Sequence, residues 1–309
     1  MNTAAPDLPP EWWECDAASA SYPALLRNID DPPTLAVRGE IEPGATMVAI
    51  VGARRSSVYG EEVAYDMARH LAAAGLTVVS GMARGIDAAA HLGAMDGGGR
   101  TIAVMGTGPD TVYPPEHRSL AQRIADEGAL VTQFAVGTPP QKRNFPVRNA
   151  TISGMSVGVV VVEARRQSGA MLTAGAAANQ GRMVMAVPGS VRNAASRGCH
   201  DLIRDGAHLV ASAQDVMAEL RVEPLILLLD PPRDVDQRFG DARDTVLATL
   251  MAGSMTLDEI VAAVPAPAAE VVTAVARLRL DQEIRLRDGA YGLAVERNVR
   301  NRKAPNRVV

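Results

Sequence analysis

Aromatic side chains are almost missing from this chain: three Phe, five Tyr and two Trp, 3% of 309 residues. A core built on stacked rings is therefore excluded. The interior has to come from Ala, Val, Leu, Ile and Met, which carry the apolar share to 47%. That palette suits an α/β protein with Val-rich parallel strands buried on both faces. Cysteine is scarce as well. Cys15 and Cys199 are the only two, and neither belongs to a C-x-x-C pair, so neither a disulfide framework nor a Cys-rich zinc site is supported. No apolar run approaches the roughly 20 residues of a membrane span. The opening segment lacks the basic and apolar regions of a secretory leader. These absences lead us to expect a protein of the cytoplasm without a membrane span. The formal net charge of −4 gives no global signal for nucleic acid, so any basic surface must be local.

What is present is an alternation. The first forty residues, rich in Pro, Asp and Ala, read as an irregular lead-in with one short helix near Leu25; Trp12 and Trp13 are expected to pack it. From Thr46 onward, short apolar runs alternate with helix-like runs. Strands are expected at "MVAIVG" (47–52), "LTVVS" (76–80), "TIAVMG" (101–106), "ALVTQF" (129–134), "VGVVVVEA" (157–164) and "RMVMAVPG" (182–189). Helices are expected over 61–74, from the 80–85 turn to about Met95, and over 116–128, 170–181 and 213–220, with a short helix and an edge strand near 198–212. Alternating strands and helices give βαβ units with right-handed crossovers. The prediction is an α/β fold, an extended Rossmann-like doubly wound and mostly parallel sheet, over residues 41–222. Residues 223–241, with a Pro pair and many charges, read as a linker. Three helices and a hairpin around Asp288-Gly289 then make residues 242–295 winged-helix-like, with Thr256 and Glu259 as a capping box. A basic tail follows over 296–309.

In an open parallel sheet, ligands sit at the carboxyl ends of strands, and the polar, glycine-rich segments follow strands here. "VGARRSSVYG" (51–60) offers Gly52, Arg54, Ser56 and a helix start suited to an anion. "SGMARGIDAAAH" (80–91) offers Gly81, Arg84 and Gly85, with Asp87 and His91 four apart on one helix face. That pair reads as a structural bond fixing the turn rather than an acid–base couple. "MGTGPDTVYPPEH" (105–117) reads as a stiff loop. "PPQKRNFPVRNATISGMS" (139–156) reads as a loop that brings Lys142, Arg143 and Arg148 around Phe145, cations for phosphates and a ring for a base. "VVEARRQSGAMLTA" (161–174) offers Glu163 at a strand end and Ser168-Gly169 ahead of a helix. Ser168 has no nucleophile-elbow frame, so this stretch reads as a phosphate turn or a plain helix cap. Neither G-x-G-x-x-G nor G-x-x-x-x-G-K-[ST] occurs, so dinucleotide and P-loop chemistry lack support.

Taken in order, these motifs resemble the DNA-processing protein DprA (Smf) family, from about Tyr22 to Val210. The resemblance implies a single-stranded DNA-binding protein without catalytic activity, metal or cofactor. It implies protection of incoming strands, loading of the RecA recombinase on them during natural transformation, and a homodimer formed through the Rossmann-like domain. By matching motifs it places Arg54, Lys142 and Phe145 at the DNA, with Arg148 and Asn149 adjoining. The chain departs from the family at Ala150, where a second arginine is common, and at Thr132-Gln133, where Ser-Glu is frequent. The alternative is a Rossmann-like enzyme acting on nucleotide derivatives through Glu163 and Arg84, although the P-G-G-x-G-T-x-x-E run of such enzymes is missing. From Arg285 onward seven Lys/Arg face two acids, which also allows duplex contact there.

Overall fold

The computed structural model describes residues 8–222, 235–250, 253–280, 284–287 and 290–293. They fall into two compact units, Met1–Leu229 and Asp230–Val309. In the first, the strands are β1 (Trp13–Cys15), β2 (Leu35–Gly39), β3 (Met47–Val51), β4 (Thr77–Gly81), β5 (Thr101–Val104), β6 (Ala129–Thr132), β7 (Gly158–Val161), β8 (Met183–Ala186) and β9 (His208–Leu209). The helices between them are α1 (Val58–Ala73), α2 (Ile86–Asp96), α3 (Arg118–Glu127), α4 (Asn144–Met155), α5 (Gly169–Asn179), α6 (Arg197–Arg204) and α7 (Ala213–Leu220).

The strands form one sheet in the order β1-β2-β6-β5-β4-β3-β7-β8-β9. It is parallel from β6 to β9. The period-2 rule divides each central strand between two cores. Val48 and Ile50 of β3 and Val160 of β7 face Ala64, Met67 and Ala68 of α1. Ala49, Val51, Val159 and Val161 face Ile152 and Met155 of α4 and Ala170 and Ala174 of α5. Both cores are almost wholly aliphatic, as the shortage of rings requires; Tyr22 is the one buried ring in them among the described residues. The order of strand addition reverses beside β3: β4, β5 and β6 lie on one side, and β7 and β8 on the other. The loops leaving β3 and β7 therefore diverge and leave a crevice at the strand ends.

The lead-in is not irregular. β1 and β2 extend the sheet, with β2 antiparallel to β6, Ala36 facing Thr132 and Gly39 facing Ala129. Trp13 belongs to β1, and its indole N–H donates to Gly39 O at 3.1 Å. The expected helix near Leu25 is one 3₁₀ turn, Leu26–Asn28. Helix α1 starts three residues before Glu61 because Ser57 caps it. No helix among the described residues is long and apolar enough to cross a membrane.

The second unit has helices α8 (Val235–Leu250), α9 (Leu257–Ala263) and α10 (Ala268–Leu280), then antiparallel strands β10 (Ile284–Arg287) and β11 (Ala290–Leu293). Helix α8 begins inside the stretch read as linker. Thr256 and Glu259 do form a capping box. Val246, Leu250, Ile260, Val271, Val275 and Leu278 give this unit a core of its own. Asp288-Gly289 and the basic tail lie outside the described residues.

Candidate nucleic-acid interface

The segment 139–156 is not a loop. Most of it is α4, whose first turn reads Asn144-Phe145-Pro146. A proline in the first turn removes an N–H that has no partner inside the helix. Asn144 Nδ2 donates to Gly106 O at 3.1 Å and to Pro139 O at 3.2 Å, which fastens the helix start to the loop after β5. The Phe145 ring then lies against Gly106, where an added Cβ would stand 2.9 Å from it.

Around this ring the loops after β3, β4 and β5 form a shallow open pocket, lined by Arg54, Met82, Arg84, Gly106, Tyr113, Phe145 and Arg148 among others. The Arg54 guanidinium stands 4.8 Å from the Phe145 ring centre and that of Arg148 stands 5.7 Å from it. Tyr113 tilts at 47° to the same ring, with centroids 6.1 Å apart. Cations near a ring face are attracted by its quadrupole, so the pocket holds a half-buried ring fixed among two guanidiniums and a second ring.

The two arginines differ. Arg54 is exposed. Arg148 is 5% exposed, and its Nη1 donates to Val104 O at 2.6 Å. Burial pulls its pKa down to about 10, against the raising effect of Asp87, so it stays charged at neutral pH. The Asp87 carboxyl is buried too; desolvation raises its pKa and Arg148 opposes that shift. Both side chains crowd Gly81, where a Cβ would collide with the guanidinium and the carboxylate. Gly85 turns the chain at φ +73°, and a Cβ there would also lie 2.5 Å from Ala53 O.

Asp87 and His91 do not bond to each other. Asp87 Oδ2 accepts from Ala83 N at 3.3 Å. His91 pairs with Gly81 O at 2.6 Å through Nε2 and with Thr101 Oγ1 at 2.7 Å through Nδ1. A carbonyl can only accept, so Nε2 carries the proton. Burial pulls the imidazole down to about 4. The two residues steady the turn separately, because one faces the pocket floor and the other the sheet.

The remaining positions sort by exposure. Lys142 and Arg143 are exposed on the turn before α4 and do not line the pocket. Arg84 lines it, but its guanidinium is paired with Glu116. Asn149 is buried, with Nδ2 donating to Gly169 O at 3.1 Å, and links α4 to the start of α5. The Ser56 hydroxyl is engaged by Glu61 Oε1 at 2.6 Å. Gly52 is pressed by the side chain of Ile86.

Glu163 is 2% exposed and fully committed. It accepts from Ser57 N at 2.9 Å, Ser57 Oγ at 2.6 Å and Asn193 Nδ2 at 3.5 Å, so it braces the start of α1. Ser168 stands at the N-cap position of α5 but makes no side-chain bond to it, its hydroxyl has no partner, and Gly169 faces open space. A G-x-S-x-G spelling occurs at 154–158, but it runs from α4 into β7, the reverse of a nucleophile elbow. Its Ser156 is fully buried, with Oγ donating to Ile152 O at 2.9 Å. Sequence reasoning passed over Tyr113 as loop packing and over Met82 and Thr107 altogether; all three line the pocket. Among the described residues, no cluster of His, Cys, Asp or Glu could hold a metal ion.

Comparison with known proteins places this pocket in context. Residues 15–221 match the family described as DNA recombination-mediator protein A. Protein Smf of Escherichia coli is 43% identical over 201 residues, 64% of this chain and 54% of that protein. The DNA processing protein DprA of Streptococcus pneumoniae is 42% identical over 200 residues, 64% of this chain and 71% of that one. The chain thus spans little more than half the length of the first of these relatives. The X-ray structure of the pneumococcal DprA superposes with a TM-score of 0.65 at 39% identity, over 68% of this chain and 75% of that one. A DprA structure from Helicobacter pylori, described by its single-stranded DNA binding mode, superposes at 0.61 with 26% identity, over 68% of this chain and 96% of that one. Every loop that builds the pocket falls inside the matched span, and the chain belongs to the DNA recombination-mediator protein A family, the DprA (Smf) proteins.

Proposed function

We propose that this protein binds single-stranded DNA in the Phe145 pocket and, as a recombination mediator, protects the strand and hands it to the RecA recombinase. One observation carries the DNA-binding part: a half-buried ring held among two guanidiniums at the carboxyl end of the sheet. An unpaired base stacks on Phe145, Arg54 takes a neighbouring phosphate, and Arg148 supplies fixed charge from beneath. Lys142 and Arg143 extend the cationic rim, and the uncapped start of α5 at Ser168-Gly169 offers N–H groups to a further phosphate. Family membership supports the hand-over to the recombinase, a homodimer through the sheet-bearing unit, and a cytoplasmic setting. The second unit, three helices and an antiparallel strand pair, is read as winged-helix-like and as a separate contact surface.

An electrophoretic shift with oligo-dT and with duplex tests this reading. Phe145→Ala should weaken single-strand binding by about 1–3 kcal/mol for the base it stacks. Lys142→Ala should reduce the salt slope by roughly 0.7. Unchanged affinity and slope in both variants would end the assignment. A catalytic reading through Glu163 is disfavoured because both its oxygens already hold Ser57 and Asn193. Turnover of a nucleoside monophosphate that vanishes in Glu163→Gln would reinstate it.

A further inference from the structure

We infer that a second single-strand contact, centred on the ring of Tyr59, lies beyond the Phe145 pocket at the carboxyl ends of β7 and β8. This inference rests on the single-strand reading above and extends its footprint. The observations come from the other side of the reversal in the sheet. The segment after β3 works in two directions. Arg54 turns toward β5 and covers Phe145, whereas Tyr59, in the first turn of α1, turns toward β8, its hydroxyl donating to Pro188 O at 3.4 Å. The residue remains 48% exposed. Beside it in sequence Val58 is 73% exposed, and Val191, three positions after Pro188, is 81% exposed.

Glu163 ties three loops together beneath this surface, through Ser57 after β3 and Asn193 after β8. Arg55, Arg165 and Arg192 each stand one or two positions from a residue of that network. All three are exposed and hold no ion-pair partner among the described residues. The neighbouring Arg166, by contrast, is bound to Asp201 at 2.6 Å. The one carboxylate at the centre, Glu163, is buried and spent on its caps, and of the exposed acids at the start of α1, Glu61 and Glu62, the first is held by the Ser56 hydroxyl, so the three guanidiniums carry no ion pair on this surface among the described residues.

Charge alone would suit any polyanion. The exposed ring and the two valines select further, because in a duplex the base faces are hidden and in a single strand they are free to stack. The chemistry of the first pocket, a ring beside an exposed guanidinium, is therefore repeated on the far side of the β3 loop. A strand lying along the carboxyl edge would meet Phe145 first and Tyr59 next.

Equilibrium binding of the full-length chain to a length series of oligo-dT tests this. The unaltered protein should gain affinity with length past the shortest oligomer that fills the Phe145 pocket. Tyr59→Ala should lose that gain, about fivefold or more, while matching the unaltered protein on the shortest oligomer. Tyr59→Phe should keep the gain, because it keeps the ring. Arg165→Ser with Arg192→Ser, both exposed and free of structural bonds, should lower the salt slope on long oligomers only, by roughly 0.7 for each phosphate contact removed. Phe145→Ala should instead weaken every length. If Tyr59→Ala binds all lengths like the unaltered protein, or weakens all equally, the second contact is overturned. A change in oligomeric state with no length-dependent loss also overturns it and marks the patch as a surface between copies. If Phe145→Ala and Lys142→Ala are both silent while Tyr59→Ala still loses the gain with length, the Phe145 pocket falls as the first contact and the Tyr59 contact stands as a single-strand site of its own.

Discussion

Arg84 and Glu116 face each other at the rim of the Phe145 pocket, each about half exposed. The backbone hydrogen bond at Glu116 holds its carboxyl below the usual carboxylate range, and the Arg84 guanidinium adds to that effect. An exposed pair of this kind adds little to stability, so its effect falls on the ligand. While the pair is closed, Arg84 is unavailable to a phosphate and an acid lies beside the path of a polyanion. Glu116→Gln should therefore tighten binding of oligo-dT and steepen its salt slope by roughly 0.7. A weaker complex from that variant would mean that Glu116 positions the arginine instead of blocking it. Arg148 is the opposite case. Its charge is enclosed and bonded to Val104 O, so it shapes the floor under Phe145 and is no free hand for a phosphate. Burial does not show in a motif, which is why Arg148 and the exposed Lys142 looked alike in the sequence.

At the level of elements, α2 is tied to β4 and β5 by one imidazole, and that tie has a pH signature. His91 titrates near 4 when folded and near 6.5 in the open chain. Between those values the unfolded state binds the extra proton, so stability falls as pH is lowered through the window, by an amount on the order of 3 kcal/mol. Asp87, with its raised pKa, contributes with the opposite sign. Comparison with His91→Gln, which can still donate to Gly81 O, isolates the imidazole. Denaturant midpoints of the variant should show the shallower fall between pH 6.5 and 4; parallel curves would remove His91 as the cause.

The same scale shows what could be read without coordinates. The central strands and α1, α2, α3 and α5 were legible because apolar runs, glycine stops and capping residues all agree there. Helix α4 was hidden by Pro146 and by the cations around it. A proline reads as a breaker unless its place in the first turn is known, and Arg148 reads as solvated unless its acceptor on β5 is known. Strands β1 and β2 were hidden for another reason. At three and five residues they carry too little alternation to stand out; β1 pairs with β2, and β2 pairs with β6 some ninety positions later, so only tertiary pairing defines them. The ring at the centre of the site was legible, since rings are rare enough for one flanked by charge to stand out.

On the scale of the whole molecule, each unit has its own buried cluster, so each can be tested by itself. A chain ending at Val222 retains the complete sheet and every residue lining the pocket. It should shift oligo-dT with an affinity close to that of the full chain and lose whatever duplex binding the full chain has. If the shortened protein is folded but no longer shifts oligo-dT, single-strand recognition resides in the second unit or needs both.

The shortage of rings has an optical consequence. Both tryptophans of the chain stand at its beginning, Trp13 in the outermost strand and Trp12 packed against the cluster of Met82 and Met105. Indole emission therefore follows the melting of the sheet-bearing unit and is blind to the helical one. Where the two units melt separately, circular dichroism records both events and fluorescence only one, and the gap between the two curves measures how independently they fold.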